Sequence, residues 1–207
     1  MQITAITPQK RNKNFYNIFV DEEFFCSLDD ESIYLMKLKE GMEIDKELLL
    51  KTAEEAGYKK AMNYSLNLIS KYLKTRHEIV KKLKEKEYNE DTIQKVIDKL
   101  QSLGYLNDER YVEVYIRSKK DTSSILNKRT LYNKLLQKGI DRELVRQNLD
   151  NSDIDEYESA LKAAQKKLPN LKGDLRTKKA KLYQFLYSKG FDYEICSKVL
   201  NNIEITE

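Results

Sequence analysis

One pattern of apolar residues occurs three times along the chain, at a period of about 50 residues. Its anchors are Tyr88, Ile140 and Phe191, which are 52 and 51 residues apart. Apolar residues recur at matching offsets on both sides of each anchor, and these spacings keep one face of a helix apolar. Each copy therefore predicts two helices joined by a short turn. The matching residues are Leu83, Leu135 and Leu186; Val80, Tyr132 and Tyr183; Ile79, Leu131 and Leu182; Ile93, Val145 and Cys196; and Ile97, Leu149 and Leu200.

A repeat of this kind limits the architectures that the chain can adopt. A more variable helix precedes each helix pair, so the unit is a three-helix repeat that buries its apolar face against its neighbours. An apolar content of 40% is lean for one compact core and favours thin layers. We predict a mainly α fold with three tandem three-helix repeats in an elongated, curved array. The predicted repeats are residues 58–107, 108–150 and 151–207.

Capping residues mark where these helices end and begin. Gly104 is predicted to end a helix in a left-handed cap, and Asp108 to cap the next helix. Thr75 and Glu78 have the spacing of a capping box. Pro169 is expected to end the first helix of the third repeat. The third helices of the repeats are predicted to be capped by Asn89, Asp141 and Asp192.

Residues 1–57 belong to a different structural class, a small β-containing region with short helices. β-branched and aromatic residues predict three strands, and the basic run between the first two is interpreted as a solvated hairpin tip. The predicted strands are Gln2–Thr7, Phe15–Val20 and Phe24–Leu28, the loop is Gln9–Asn14, and the helices run from Asp29 or Asp30 to near Gly41 and from Asp45 to Gly57.

Charge is distributed unevenly along the chain. Residues 1–57 carry a net charge of −5 and residues 58–207 a net charge of +9. An acidic partner is therefore expected to bind the repeats. The excess is moderate, well short of the dense basic face of a dedicated nucleic-acid-binding domain.

Basic residues recur at two repeat positions with different meanings. Lys86, Lys138 and Lys189 stand two before each anchor, in the expected last turn of a helix, where the helix dipole favours a cation and stability alone explains them. Three others stand twelve before each anchor, in the expected first turn of the second helix, where the dipole opposes a cation. Their retention suggests a contact surface. They are Arg76, Lys128 and Lys179.

Further basic residues extend this candidate surface. Arg129, Lys178 and Lys181 lie beside it in sequence, and Arg117, Lys119 and Lys120 are predicted to continue it in the loop before the second helix of repeat 2. Two interpretations remain open: a surface that binds a partner, and a solvated face without a partner.

Signals for catalysis, metal binding or membrane insertion are weak. No Gly-rich phosphate loop and no zinc-type cysteine spacing occur, and the single histidine, His77, is interpreted as a surface residue. We expect no catalytic residues, no metal and no cofactor. Cys26 and Cys196 are predicted to be buried thiols rather than a disulfide. No apolar run has the length of a signal peptide or a membrane span, so a cytoplasmic protein is expected.

The segment Gly104–Tyr111 and the pairs Lys138-Gly139 and Lys189-Gly190, within three tandem three-helix repeats, resemble the RecX family, regulators of the RecA recombinase. The resemblance extends from about residue 58 to the end and more loosely to the N-terminal part. Two residues depart from the family pattern: Val112 stands where alanine is usual, and Glu87 where the later repeats have glycine.

This resemblance implies a function. It implies a non-enzymatic regulator that binds the RecA filament on single-stranded DNA and restrains its ATPase, strand-exchange and coprotease activities, with weak direct DNA binding left open. We expect a monomer without a membrane partner. Two alternatives remain: a helical nucleic-acid-binding module, against which the candidate stacking tyrosines fall mostly on apolar stripes, and a generic protein adaptor.

Overall fold

The N-terminal region is built on a three-stranded antiparallel sheet. The computed structural model describes residues 1–10, 13–122 and 125–204. Strands β1 (Ile3–Pro8), β2 (Phe15–Val20) and β3 (Glu23–Asp29) pair in the order β1-β2-β3. The three predicted strands are confirmed. Arg11 and Asn12, in the predicted hairpin loop, lie outside the described residues.

A short helix follows the sheet. Helix α1 (Asp30–Met36) is capped by Asp29, whose carboxylate accepts the backbone N–H of Ser32 at 2.8 Å. The predicted helix end near Gly41 is wrong. Lys37 adopts a left-handed conformation with a φ of 51°, and its N–H donates to the carbonyl of Tyr34, which closes the helix after Met36.

A single long helix replaces the two that the sequence predicted around residue 57. Helix α2 (Lys46–Ile69) runs through Gly57, so the predicted helix end at that glycine is wrong. Glycine ends a helix only where a left-handed residue is needed, and here the buried residues Ala56 and Ala61 continue the apolar face on both sides. The domain boundary between residues 57 and 58 stays a prediction, and α2 crosses it.

The second half of α2 and eight further helices form the three predicted repeats. The last two helices of each repeat follow the predicted order, and a single 3-10 turn (Leu168–Asn170) ends the first helix of repeat 3 at the proline, as expected. The further helices are α3 (Arg76–Lys84), α4 (Glu90–Ser102), α5 (Asp108–Thr122), α6 (Lys128–Gln137), α7 (Arg142–Asp150), α8 (Glu156–Lys167), α9 (Leu175–Ser188) and α10 (Tyr193–Asn202).

Each repeat has its own apolar core, and the predicted register is confirmed. Leu83, Leu135 and Leu186 are each fully buried, in three separate clusters. The anchors Ile140 and Phe191 are also buried, whereas Tyr88 is half-buried. A further cluster fills the space between the sheet and α2. The chain therefore buries its modest apolar content in several small cores.

Most predicted caps are confirmed, with one exception. Thr75 and Glu78 form the reciprocal capping box, with both hydrogen bonds at 3.2 Å. Asn107, not Asp108, caps α5 by accepting the N–H of Arg110 at 2.9 Å. Asp108 is instead the first residue of the helix, and its carboxylate is available for another contact. Gly104 has the expected left-handed conformation, and Asn89, Asp141 and Asp192 cap α4, α7 and α10.

The chain divides into two compact units. One comprises residues 1–74 and 79–106, and the other comprises residues 75–78 and 107–207. The first turn of α3 therefore belongs with repeats 2 and 3. Both cysteines are free and buried, as predicted, and burial raises the pKa of the Cys26 thiol to about 11. Within the described residues, no helix has both the length and the apolar character that a membrane span requires.

Candidate partner-binding surface

The start of α3 docks onto the turn between α6 and α7, and we call this contact the first junction. It joins residues 75–78 to Lys138 and Gly139. The hydroxyl of Thr75 donates to the carbonyl of Lys138 at 2.7 Å, and the ammonium of Lys138 lies 2.7 Å from the carboxylate of Glu78. The hydrogen bond to Glu78 raises the pKa of Lys138. Thr75 and Glu78 thus cap the N-terminus of α3 and also bind the turn between α6 and α7.

The start of α6 makes the equivalent contact with the turn between α9 and α10, the second junction. It joins residues 127–130 to Lys189 and Gly190. The side-chain amide of buried Asn127 donates to the carbonyl of Gly190 at 2.8 Å. The hydroxyl of Thr130 donates to the backbone carbonyl of Lys189 at 3.4 Å. Asn127 occupies the register position of Thr75. The repeat pattern therefore extends from helix packing to the hydrogen bonds between successive helix pairs.

At each junction, a carboxylate from the first helix of the following repeat accepts a backbone N–H at the start of the second helix. Asp108 accepts the backbone N–H of Arg76 at 2.9 Å, and Glu156 accepts that of Lys128 at 2.8 Å. A negative charge at a helix N-terminus offsets the unfavourable effect of the dipole on a nearby cation. The basic residues at these positions are therefore tolerated, and their retention is weaker evidence for binding than the sequence suggested.

Lys179, the third basic residue that was predicted in the first turn of a second helix, lies further along its helix. Helix α9 starts at Leu175, capped by Asp174, so Lys179 lies in the second turn. The prediction that Lys179 occupies a first turn is wrong. The extra turn is a local effect, because the carboxylate of Asp174 accepts the N–H of Thr177 at 2.9 Å and starts the helix early.

The predicted basic residues differ in how accessible they are. Arg76, Arg117, Arg129, Lys179 and Lys181 are exposed, and the remaining predicted residues are half-buried. The half-buried residues are Lys119, Lys120, Lys128 and Lys178. The exposed subset offers the stronger candidates for contact with a partner.

Arg117, Lys119 and Lys120 lie on α5, so their predicted placement in a loop is wrong. Periodic residues up to Ile116 do not reveal how far a helix continues, and here it runs to Thr122. Lys120 forms an ion pair with Asp153, which lowers the pKa of that carboxylate. The Lys119 ammonium lies 5.4 Å from the ring centre of Tyr115. Lys120 thus has a structural contact of its own.

Sequence reasoning missed two lysines that the fold brings to Lys119. Lys134 of α6 and Lys189 of the second junction line one cavity of about 190 Å³ together with Lys119. In the sequence, the helix dipole alone accounts for Lys189, and Lys134 carries no signal in the comparison of repeats. Their common location depends on the docking of α6 against the α9–α10 turn, which joins residues more than 50 positions apart.

Three family models match the chain. They are the regulatory protein RecX N-terminal domain over residues 1–45, the first RecX three-helix domain over residues 61–100 and the third RecX three-helix domain over residues 154–200. Regulatory protein RecX of Clostridium perfringens (strain 13 / Type A) is 36% identical over 210 residues, covering 100% of this chain and 98% of the relative. The chain belongs to the RecX family of regulatory proteins. The predicted resemblance is confirmed.

Other members of the RecX family agree in sequence and in fold. Regulatory protein RecX of Clostridioides difficile (strain 630) is 35% identical over 206 residues, covering 97% of this chain and 95% of the relative. A crystal structure of regulatory protein RecX has a TM-score of 0.68 and 26% identity, covering 97% of this chain and 99% of that one. The crystal structure of RecX from Lactobacillus salivarius has a TM-score of 0.64 and 31% identity, covering 70% of this chain and 95% of that one.

Proposed function

We propose that the chain is a non-enzymatic regulator that binds the RecA nucleoprotein filament and restrains its ATPase, strand-exchange and coprotease activities. Membership of a family of regulatory proteins supports the regulatory role. The partner follows from the RecX resemblance. In this proposal the chain acts in the cytoplasm, as a monomer and without a cofactor.

The observation that carries the proposal is an exposed cation on the second helix of every repeat. Arg76 lies on α3, Arg129 on α6 and Lys179 on α9, and all three side chains are exposed. A filament presents the same surface once per protomer, and its DNA adds negative charge. Weak contacts from several repeats to successive protomers add into one firm attachment.

Inhibition requires more than attachment. A ligand that binds two states of the filament equally shifts neither. The bound chain must therefore favour a filament state in which ATP turnover or strand exchange is slow.

Reversing the three exposed cations is expected to weaken inhibition about tenfold, because each lost contact removes a few tenths of a kcal/mol and each new carboxylate repels the DNA. The variant is Arg76→Glu/Arg129→Glu/Lys179→Glu. Lys128 is left in place because it is half-buried at the second junction. The measurement is the DNA-dependent ATPase rate of RecA against the concentration of the added chain, at low and at high salt. Inhibition by the parent chain should fade as salt rises.

The matched control reverses one exposed cation on the third helix of each repeat, Lys95→Glu/Arg142→Glu/Lys198→Glu, and changes the net charge equally. Inhibition by the control should stay close to that of the parent. Equal inhibition by the folded test variant and the control, at every salt concentration, would contradict the proposed surface.

A second candidate function is direct binding of single-stranded DNA by the third repeat. Tyr64, Tyr111 and Tyr183 are at least half-buried, as the sequence predicted, but Tyr187 and Tyr193 are 58% and 72% exposed. The ring of Tyr183 stacks on that of Tyr187, with centroids 6.1 Å apart. Bases stack on such exposed aromatic rings.

The basic residues beside these rings support this candidate. Arg176 and Lys181 line one groove on α9 together with Tyr183. Tyr187→Ser/Tyr193→Ser is expected to lower affinity for free single-stranded DNA at least tenfold, because base stacking contributes about 1 to 3 kcal/mol per base. Fluorescence anisotropy of a labelled oligonucleotide measures the change, and Tyr34→Ser, at an 81% exposed tyrosine of α1, is the control. Unchanged affinity in the double variant would exclude stacking at this site.

A further inference from the structure

The two junctions share their hydrogen bonds but differ in charge. At the first junction, the lysine of the turn, Lys138, is neutralised by Glu78. The register equivalent of Glu78 in repeat 2 is Thr130, ten residues before the anchor. Lys189, the equivalent of Lys138, lines a cavity together with Thr130, where the first junction provides a carboxylate, and its ammonium lies 5.5 Å from the ring centre of Phe185.

A second carboxylate is missing by the same comparison. In repeat 1, Lys82 forms an ion pair with Glu85 at 2.6 Å. The equivalents in repeat 2 are Lys134 and Gln137, so the cation is retained and its counter-charge is replaced by an amide. The first replacement lies at the cavity itself, because Thr130 lines it together with Lys119, Lys134 and Lys189. The second replaces the carboxylate that pairs with Lys82 in repeat 1 by an amide near Lys134 in sequence.

The walls of this cavity suit a single acidic group. Leu126 and Leu131 form apolar parts of its lining, and low-dielectric walls strengthen the attraction between charges. Its volume of about 190 Å³ is below the roughly 300 to 1,000 Å³ of typical small-molecule pockets. The cavity therefore has room for one anionic side chain rather than for a whole nucleotide.

We infer that the cavity at the second junction receives a glutamate or aspartate side chain from the protein subunit of the filament. The carboxylate of Glu78 at the first junction indicates the chemistry, because the same docking geometry holds a carboxylate there within the chain. A carboxylate from a partner restores at the second junction the charge balance that repeat 1 has built in. This inference rests on the proposed function, since it takes the filament protein rather than its DNA as the partner.

Filling the cavity from within the chain tests the inference. Thr130→Glu/Gln137→Glu places the two carboxylates of repeat 1 at their equivalent positions in repeat 2. The variant is expected to fold with an unfolding midpoint at or above that of the parent, because it gains ion pairs to Lys134 and Lys189. Its affinity for the RecA filament should fall about tenfold, because the cavity is already neutralised.

The control Gln101→Glu/Gln165→Glu adds the same charge at exposed positions outside the cavity. Parent, filled variant and control are each titrated with RecA filaments on single-stranded DNA and with the same DNA alone. Weaker filament binding by the filled variant only, with binding to naked DNA equal to the control, supports the inference. Filament binding equal to the control overturns it, and an equal loss on naked DNA overturns it by making a phosphate the occupant.

A second variant, Lys134→Gln/Lys189→Gln, removes the two positive charges that would bind the partner's carboxylate. It tests the inference if the filled variant does not fold. It should lose filament affinity by a similar factor, whereas Lys95→Gln/Lys166→Gln, at exposed lysines elsewhere, should not. Equal affinities of these two variants overturn the inference. If the parent itself does not bind the filament, the proposed function is wrong, and the inference about the filament protein is wrong with it. The titration of the parent distinguishes this outcome from a failure of the inference alone.

Discussion

Leu135→Ala is expected to lower the free energy of unfolding by about 2 to 5 kcal/mol. Leu135 is fully buried on α6, in a cluster with residues of α5 and α7 that include Val112 and Val145. Alanine would remove apolar contacts from all three helices of the repeat and leave a cavity that close-packed neighbours fill only in part. Leu83→Ala and Leu186→Ala should have effects of the same size, because the equivalent side chains are also fully buried.

Urea denaturation of the three variants measures these changes. Leu35→Ala is the control, because Leu35 on α1 is 67% exposed and its removal should change stability by less than about 0.5 kcal/mol. Unchanged midpoints for all three core variants would show that the repeat register is wrong. A large effect at only one position would show that the three helix pairs do not have equivalent cores.

The sequence predicted this register because the signals behind it are local. Leu83 and Ile79 are one helical turn apart, and a capping box such as Thr75 with Glu78 acts within four residues. Such patterns depend little on the rest of the fold. The three strands of the N-terminal sheet were predictable for the same reason, since their residue types favour an extended backbone over short stretches.

At two of the misplaced elements, a distant contact decided between local alternatives. Asn107 and Asp108 can both cap a helix, and Asp108 is drawn instead to the N–H of Arg76, 32 residues away. Gly57 can end a helix or lie within one, and the packing of α2 against the sheet favours a continuous helix. Lys60, just beyond that glycine, lies over the ring of Phe15 at 4.3 Å and hydrogen-bonds Gln9, contacts that hold α2 against the sheet.

The candidate site was predictable only in part for a related reason. The comparison of repeats singles out Arg76 and Lys128, but their backbone N–H groups donate to Asp108 and Glu156, which lie on the first helix of the following repeat. These carboxylates offset the effect of the helix dipole on a cation, which a comparison of sequence positions does not reveal. The cavity at the second junction was not predictable from spacing. It contains Lys119 and Lys189, which are 70 residues apart and come together only through the docking of one repeat on the next.

The departure from the family pattern at Glu87 has a physical explanation. Glu87 is exposed and left-handed, with a φ of 61°. At the equivalent glycines, a Cβ would meet side chains from the preceding helix pair: His77 at Gly139, and Thr130 at Gly190. In the part of the chain that the structure describes, the sheet and α1 precede repeat 1 in place of another helix pair, and the Glu87 side chain is exposed. The left-handed backbone there is therefore compatible with a side chain.

Gly139→Ala is expected to lower the free energy of unfolding by about 2 to 4 kcal/mol, since it combines two costs. Gly139 has a φ of 75°, which an L-residue adopts at a cost of about 1 to 2 kcal/mol. An added Cβ would also lie 2.2 Å from Cγ and 2.3 Å from Cβ of His77, so the first junction must open or shift. The bond from Thr75 to Lys138 and the ion pair of Lys138 with Glu78 would weaken with it.

Gly104→Ala separates the two costs. Gly104 has a similar φ of 72°, but an added Cβ meets no atom within 4 Å, so only the backbone cost of about 1 to 2 kcal/mol is expected. A double-mutant cycle of Gly139→Ala with His77→Gly should then recover the part that comes from the collision, because removing the His77 side chain leaves the new methyl group without its two closest neighbours. If Gly139→Ala lowers the free energy of unfolding in urea by no more than Gly104→Ala does, the first junction accommodates the added methyl group without losing stability. The close approach of α3 to the Lys138-Gly139 turn would then contribute little to stability.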